Sequence, residues 1–175
     1  MNTLLTILFV IAGFVGLVML IALFMRKNYH IEREIIINAP AQKVFDYLKH
    51  LKNQDNFNKW VMVEPEMKRE FRGTDGTVGF VYAWSGKKAG EGEQEIKNIT
   101  EGKTIETEIR FVRPMPGVAR ANLITEQLTD KQTKVKWSNE SAVKYPMNVM
   151  TPMLEKMLGR DMDTSLQNLK NILEK

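Results

Sequence analysis

The chain has 175 residues, 25 Lys+Arg against 21 Asp+Glu, a net charge of +4 and no cysteine. That length suits one modest domain with an appendage. The missing cysteines exclude a disulfide framework, a thiolate nucleophile and a sulfur-ligated metal. Charges of both signs interleave, as in "EIKNITEGKTIETEIR". Such a pattern describes a solvated surface and excludes a basic nucleic-acid-binding stripe, so no nucleic-acid partner is expected.

The first element is an apolar helix. Residues 1–25 carry no charged side chain, and from Thr3 to Met25 only two threonines and two glycines interrupt the apolar run. At ~1.5 Å per residue such a helix is roughly 35 Å long, enough to cross a hydrocarbon core. A cleaved signal peptide would want a basic start, a shorter apolar run and a small-x-small cleavage site, none of which is present. A transmembrane anchor over residues 1–27 and a soluble domain over residues 28–175 are therefore expected. Arg26, Lys27 and Arg33 follow the helix, and the positive-inside rule places the domain in the cytoplasm. A mildly basic domain there would be drawn weakly towards an anionic leaflet. Ala12 and Gly16 form a small-xxx-small spacing too common to fix an oligomeric state.

"YHIEREIIINAP" reads as a first strand closed by Pro40. "PAQKVFDYLKHL" places Val44, Phe45 and Leu48 at helical spacing, and "KNQDNFNKW" reads as a turn or second short helix ending at Trp60. The period then changes to two. "MKREFRG" is a strand; "TVGFVYAWSG" puts Val78, Phe80, Tyr82 and Trp84 on one face. "GEGEQEIKNI" gives Gln94 the parity of Gly92 and Ile96. "KTIETEIRFVRP" puts Ile105, Thr107, Ile109 and Phe111 on one face, against Glu106, Glu108 and Arg110. "ANLITEQLTD" pairs Ile124 with Glu126, and "TKVKWSNESAV" sets Val135, Trp137 and Asn139 opposite Lys134 and Lys136. "GTDGT", "SGKKAG", "TEGK" and "TDKQ" separate these strands at hairpin spacing. Apolar residues from Met150 to Leu173 recur every three or four positions, so a long helix starts near Asn148 or Thr151, with Pro152 in its first turn. Gly159 inside it is either a close backbone approach, a bend, or a tolerated surface glycine.

One strand, a helical pair, about six antiparallel strands and a long C-terminal helix make an α+β chain. Its layout resembles the helix-grip fold of the START-like, or SRPBCC, superfamily, which includes the birch-pollen-allergen-like proteins and the polyketide cyclase/dehydrase group. The resemblance rests on "IIINAPAQKVFDYL", on Trp60, on "YAWSG" followed by "GEGE", and on "TKVKW" before the final helix. It covers residues 30–175. Membrane-anchored bacterial members look similar in layout, which implies the bacterial inner membrane.

The chemical inventory is thin. His30 and His50 have no neighbouring nucleophile or orienting carboxylate, so no triad is read. No spacing suggests a metal, and no cofactor is expected. "GTDGTVG" lacks the Lys-Ser/Thr of a phosphate loop and reads as a hairpin turn. The alternating faces offer a concavity instead. Phe80, Tyr82 and Trp84, then Thr107, Ile109 and Phe111, with Ile124, Trp137 and Trp60, would form aromatic and aliphatic walls. Met150, Met153 and Met157 would cover them from the helix, while Glu155, Lys156 and Arg160 face water. Methionine suits an adaptable ligand wall and an imperfect core equally well. Gln94, Tyr82 and Glu126 stand out because polar groups facing a core need partners. Glu126 and Tyr82 are the only acid/base candidates, Glu126 merely pointing to water if its strand frays. Three functions remain open: a module binding a hydrophobic or amphipathic small molecule such as a lipid, a cyclase-type enzyme, and a scaffold or sensor with a filled core.

Overall fold

The computed structural model describes residues 3–175. Met1 and Asn2, included in the expected anchor, lie outside the described residues. Helix α1 spans Thr3–Phe24. Strand β1 (Asn28–Ile37) follows, then α2 (Ala41–Lys49), a 3-10 turn, α3 (Gln54–Phe57) and α4 (Lys59–Met62). Strands β2 (Lys68–Arg72), β3 (Val81–Ser85), β4 (Glu91–Thr100), β5 (Thr104–Arg113), β6 (Gly117–Thr129) and β7 (Gln132–Ala142) lead into a 3-10 turn at Met147–Met150. Helix α5 (Thr151–Leu173) ends the fold.

The strands form one seven-stranded sheet in the order β1-β7-β6-β5-β4-β3-β2, every neighbouring pair antiparallel. β1 and β2 lie at opposite edges, so α2, α3 and α4 carry the chain across the concave face. Helix α2 buries Val44, Phe45 and Leu48, the spacing expected of one helical face. Helix α5 lies along the β1 side and runs in the same direction, from the Arg26–Glu155 pair to the contacts at its far end. Lys170 Nζ donates to the Ile36 carbonyl at 2.6 Å, and the Asn38 amide donates to Glu174 at 2.6 Å.

Gly159 is a close approach. Arg33 projects from the inner face of β1 and lays its guanidinium on the backbone of α5 where a Cβ at residue 159 would sit. It also pairs with Asp163 at 3.2 Å, one turn on.

The interior is divided into two cores. The larger packs Phe45, Phe57, Trp137, Met162 and Leu166 between α2, α5 and strands β1, β7, β6 and β5. The smaller packs Leu51, Met67, Phe80, Tyr82 and Ile96 under β3 and β4.

Three readings of side-chain direction are corrected. Val78 lies in the glycine-rich turn before β3 and is 59% exposed, because the strand begins only at Val81. In β6 the inward residues are Ala119, Ala121, Leu123 and Thr125, so Ile124 and Glu126 face outward. Pairing forces this: Leu123 lies opposite inward Trp137 and Thr125 opposite inward Val135, while Ile124 and Glu126 lie opposite Lys136 and Lys134. In α5 the buried line is Thr151, Gly159, Met162, Ser165 and Leu166. This rotation leaves Met153 57% and Met157 47% exposed, with Met150 half-buried.

Gly92 tests how tightly the inner face is built. A Cβ there would meet the Arg110 carbonyl oxygen at 2.6 Å and the Trp84 ring at 2.7 Å. Gly92→Ala should destabilise the domain by about 1–3 kcal/mol through overpacking, read as a lowered urea midpoint with unchanged slope.

Candidate functional site

The two cores border each other at Ile99, which packs against both. Between them lies a partly open cavity of about 580 Å³. Its walls come from β3 (Tyr82, Trp84), β4 (Gln94) and β5 (Ile109, Phe111). The α3–α4 segment and the loop after it supply Gln54, Asn58, Trp60, Val61, Val63 and Met67, and α5 supplies Leu158 and Asp161. Tyr29, Asn139, Lys59, Met62, Lys88 and Ala89 complete the lining.

The alternating strands position the aromatic walls. Trp84 and Phe111 pack edge to face with centroids 6.2 Å apart, and Trp84 Nε1 donates to the Ala89 carbonyl at 3.2 Å. Trp60 packs edge to face on buried Trp137 at 5.7 Å. Its indole N–H donates to Asp161 at 3.1 Å, and Lys59 Nζ pairs with the same carboxylate at 2.5 Å, which ties α4 to α5. These rings are held by hydrogen bonds as well as packing, so they stand as fixed walls.

A chain of amides runs along the polar side. Asn58 Nδ2 donates to Gln54 Oε1 at 2.9 Å, Gln54 Nε2 to Gln94 Oε1 at 3.1 Å, and Gln94 Nε2 to Thr107 Oγ1 at 2.9 Å. Thr107 then donates to the Ala121 carbonyl at 3.1 Å. Each carboxamide carries two N–H donors and uses one in this chain. Across the cavity, Tyr29 Oη donates to Asn139 Oδ1 at 3.3 Å. The site therefore offers an apolar volume with neutral amide donors at fixed places.

Tyr82 turns its ring to the cavity and its hydroxyl away. Tyr82 Oη donates to Asp55 Oδ1 at 2.6 Å and accepts from Arg69 Nε at 3.0 Å. Burial first, then the hydrogen bond and charge of Asp55, push the hydroxyl well above its ordinary value, against the opposing pull of Arg69. It stays protonated and poorly disposed to trade a proton near neutrality. Glu126, on the outer face, pairs with Lys136 at 2.9 Å and Lys134 at 3.1 Å, and those hydrogen bonds hold its carboxyl below the usual range.

Of the residues singled out from sequence, Trp60, Tyr82, Trp84, Gln94, Ile109 and Phe111 line one cavity. Thr107 lies directly behind Gln94. Phe80 and Trp137 belong to the two cores, Ile124 and Glu126 lie outside, and Met150, Met153 and Met157 lie away from the lining. Sequence reasoning missed Tyr29, although it shares strand parity with inward neighbours, and set Asn139 on the inward face of Trp137 without naming it a site residue. It also missed Gln54, in a four-residue helix too short to show a period, and Asn58, which lies between two such helices.

A concave antiparallel sheet gripping a long C-terminal helix, with a ligand-sized cavity between them, defines a helix-grip protein. The polyketide cyclase / dehydrase and lipid transport family matches residues 29–174, and the chain belongs to it. A comparison with curated proteins gives no match. Among solved structures the chain is similar to norcoclaurine synthase from Thalictrum flavum in complex with dopamine and hydroxybenzaldehyde. The two are 14% identical, with a TM-score of 0.60 over 84% of this chain and 87% of that one. It is also similar to Ara h 8.0201, at 17% identity and a TM-score of 0.55 over 83% and 97%. A structural-genomics protein from Chromobacterium violaceum gives 14% identity and 0.60 over 83% and 97%.

One carboxylate closes the cavity wall. Glu64, in the loop after α4, accepts from the backbone amides of Lys87 at 3.0 Å, Lys88 at 2.8 Å and Ala89 at 3.0 Å. These bonds, the Ala89 amide foremost, hold its carboxyl below the ordinary 4.5. A lowered folded-state value means that the clamp is complete above 4.5 and is lost as the pH falls through the lower value. The amide signals of Lys87, Lys88 and Ala89 should therefore titrate together with a midpoint below 4.5. Glu64→Gln should abolish that titration; a midpoint at 4.5 or above would refute the clamp.

Proposed function

We propose that the chain is a single-pass membrane protein, with residues 1–27 as anchor and residues 28–175 as a domain that binds a hydrophobic or amphipathic small molecule, a lipid first among candidates. The observation that carries this reading is the cavity itself. Its volume of about 580 Å³ lies within the ~300–1,000 Å³ of small-molecule sites, and its lining combines aromatic walls with a few placed polar groups. The family description includes lipid transport, and a related fold holds two small aromatic molecules. Helix α1 is long and apolar enough to cross a membrane, and Ala22 is its only buried residue among those described. Arg26 and Lys27 after it favour a cytoplasmic domain. The reading favours binding over catalysis because Tyr82 is held protonated and Glu126 lies outside the cavity.

Filling the cavity tests the binding half. Ile109→Trp should weaken an apolar fluorescent probe such as anilinonaphthalene sulfonate at least about tenfold, since wall contacts and volume are both lost. Leu128→Trp, on the outer face, should leave binding unchanged. Equal affinity in both variants would sink the proposal. The anchor half is tested by intact mass: the membrane-extracted chain should retain residues 1–27, whereas a cleaved signal sequence would be missing.

A further inference from the structure

The sheet has two ends, and α1 leaves from one of them. Asn28, the first residue of β1, pairs with Ala142 at the end of β7. Following the register across the sheet, that end also carries Gly117 of β6, Arg113 of β5, Glu91 of β4 and Ser85 of β3. The β3–β4 turn, the β5–β6 turn and the start of α5 therefore all lie at the α1 end. The β4–β5 turn, with Lys103, lies at the opposite end.

The domain also grips α1 directly. Asn148 is fully buried and its Nδ2 donates to the carbonyls of Ala22 at 2.7 Å and Met25 at 2.9 Å, capping the helix C-terminus. Tyr145 Oη donates to the Met19 carbonyl at 3.3 Å, and the Val143 amide to the Lys27 carbonyl at 2.7 Å. Arg26 pairs with Glu155 in α5 at 2.6 Å. Met19 lies five residues before the end of α1, or about 7–8 Å along its axis. A domain residue bonded there is level with the last turns of the apolar helix.

The side chains at this end suit that depth. The β5–β6 turn is Pro114-Met115-Pro116, with Met115 58% exposed between Val112 and Val118, themselves 52% and 51% exposed. Met147 is 40% exposed beside Tyr145. Lys27, Lys87, Lys88 and Lys144 lie in the segments at this same end, and none makes an ion pair among the described residues, whereas Arg113 pairs with Glu91 and Arg26 with Glu155. Apolar tips with unpaired lysines at the same end match a headgroup layer over acyl chains. Phe111 and Lys88 line the cavity at this same end.

We propose that this end of the domain is a membrane-docking surface. The Met115 turn and Met147 enter the headgroup–acyl boundary of the bilayer that holds α1, and the cavity opens towards lipid. The proposal rests on the anchor reading and goes beyond it: a tethered domain could equally hang free in water.

The chain has no cysteine, so single probes are clean. Full-length Met115→Cys, Met147→Cys, Phe14→Cys and Lys103→Cys, each labelled with an environment-sensitive fluorophore, are reconstituted in phosphatidylcholine–phosphatidylglycerol vesicles with and without nitroxide-labelled phosphatidylcholine. Far-UV circular dichroism confirms that each variant is folded. A group seated ~5–10 Å into the boundary should be quenched at least about twofold. Positions 115, 147 and 14 should show this and position 103 should not. Quenching at 14 but not at 115 and 147 would overturn the docking surface and leave the anchor standing. No quenching at 14, 115 and 147 would overturn both. Equal quenching at all four, position 103 included, would show non-specific adsorption and also overturn the docking surface.

Discussion

One helix cannot cover seven curved strands, and most of this molecule follows from that mismatch. Six inter-strand steps of ~4.8 Å make a sheet roughly 29 Å wide, while a helix with its side chains is about 10–12 Å across. Helix α5 is fixed on the β1 side by the Arg33 guanidinium on Gly159 and by the bonds from Lys170 and Asn38. With α5 seated there, the concave face of β3, β4 and β5 needs another cover. The crossover through α3 and α4 supplies only part of one. Two cores result, bordering each other at Ile99, and the remaining space between them is the cavity.

The cavity persists because its walls cannot collapse cheaply. Trp60 is held on Asp161 and Trp137, and Trp84 on Ala89 and Phe111, so each ring would lose a hydrogen bond or an aromatic contact on moving inward. The amide chain from Asn58 to Thr107 is similarly constrained. Buried amides are costly without partners, and here each partner is another member of the chain. Each of these carboxamides keeps one N–H outside the chain of bonds. Glu64 adds a seam, joining the α4 loop to the β3–β4 turn along the cavity rim.

Much of this was legible residue by residue. The inward parity of Tyr82 and Trp84, of Gln94, and of Ile109 and Phe111 follows from alternation alone, because a half-buried strand must sort its residues by face. Gly159 inside a long helical pattern left a close approach, a bend and a tolerated surface glycine open, and the Arg33 guanidinium decides for the close approach. Alternation misled at Ile124 and Glu126, where the inward set is Ala119, Ala121, Leu123 and Thr125. Small residues there weaken the contrast between faces, and only the pairing with Trp137 and Val135 decides the matter. The methionines misled for a related reason. A helix with apolar residues on more than half its circumference does not declare which stripe faces inward, and contact with β1 turned Met153 and Met157 outward.

By itself the sequence determined what short-range rules control: an apolar N-terminal helix free of charge, the alternation of the strands, the turns between them and the long C-terminal helix. It therefore carried the α+β layout and the family. The tertiary structure decided what depends on where distant segments meet. Asn148 finds the end of α1, Glu64 finds the β3–β4 turn, and Gln54 and Asn58 find Gln94 across the crossover. Whether the interior is filled was likewise settled only in three dimensions. A void is a property of the space left between packed elements, and no single residue carries it.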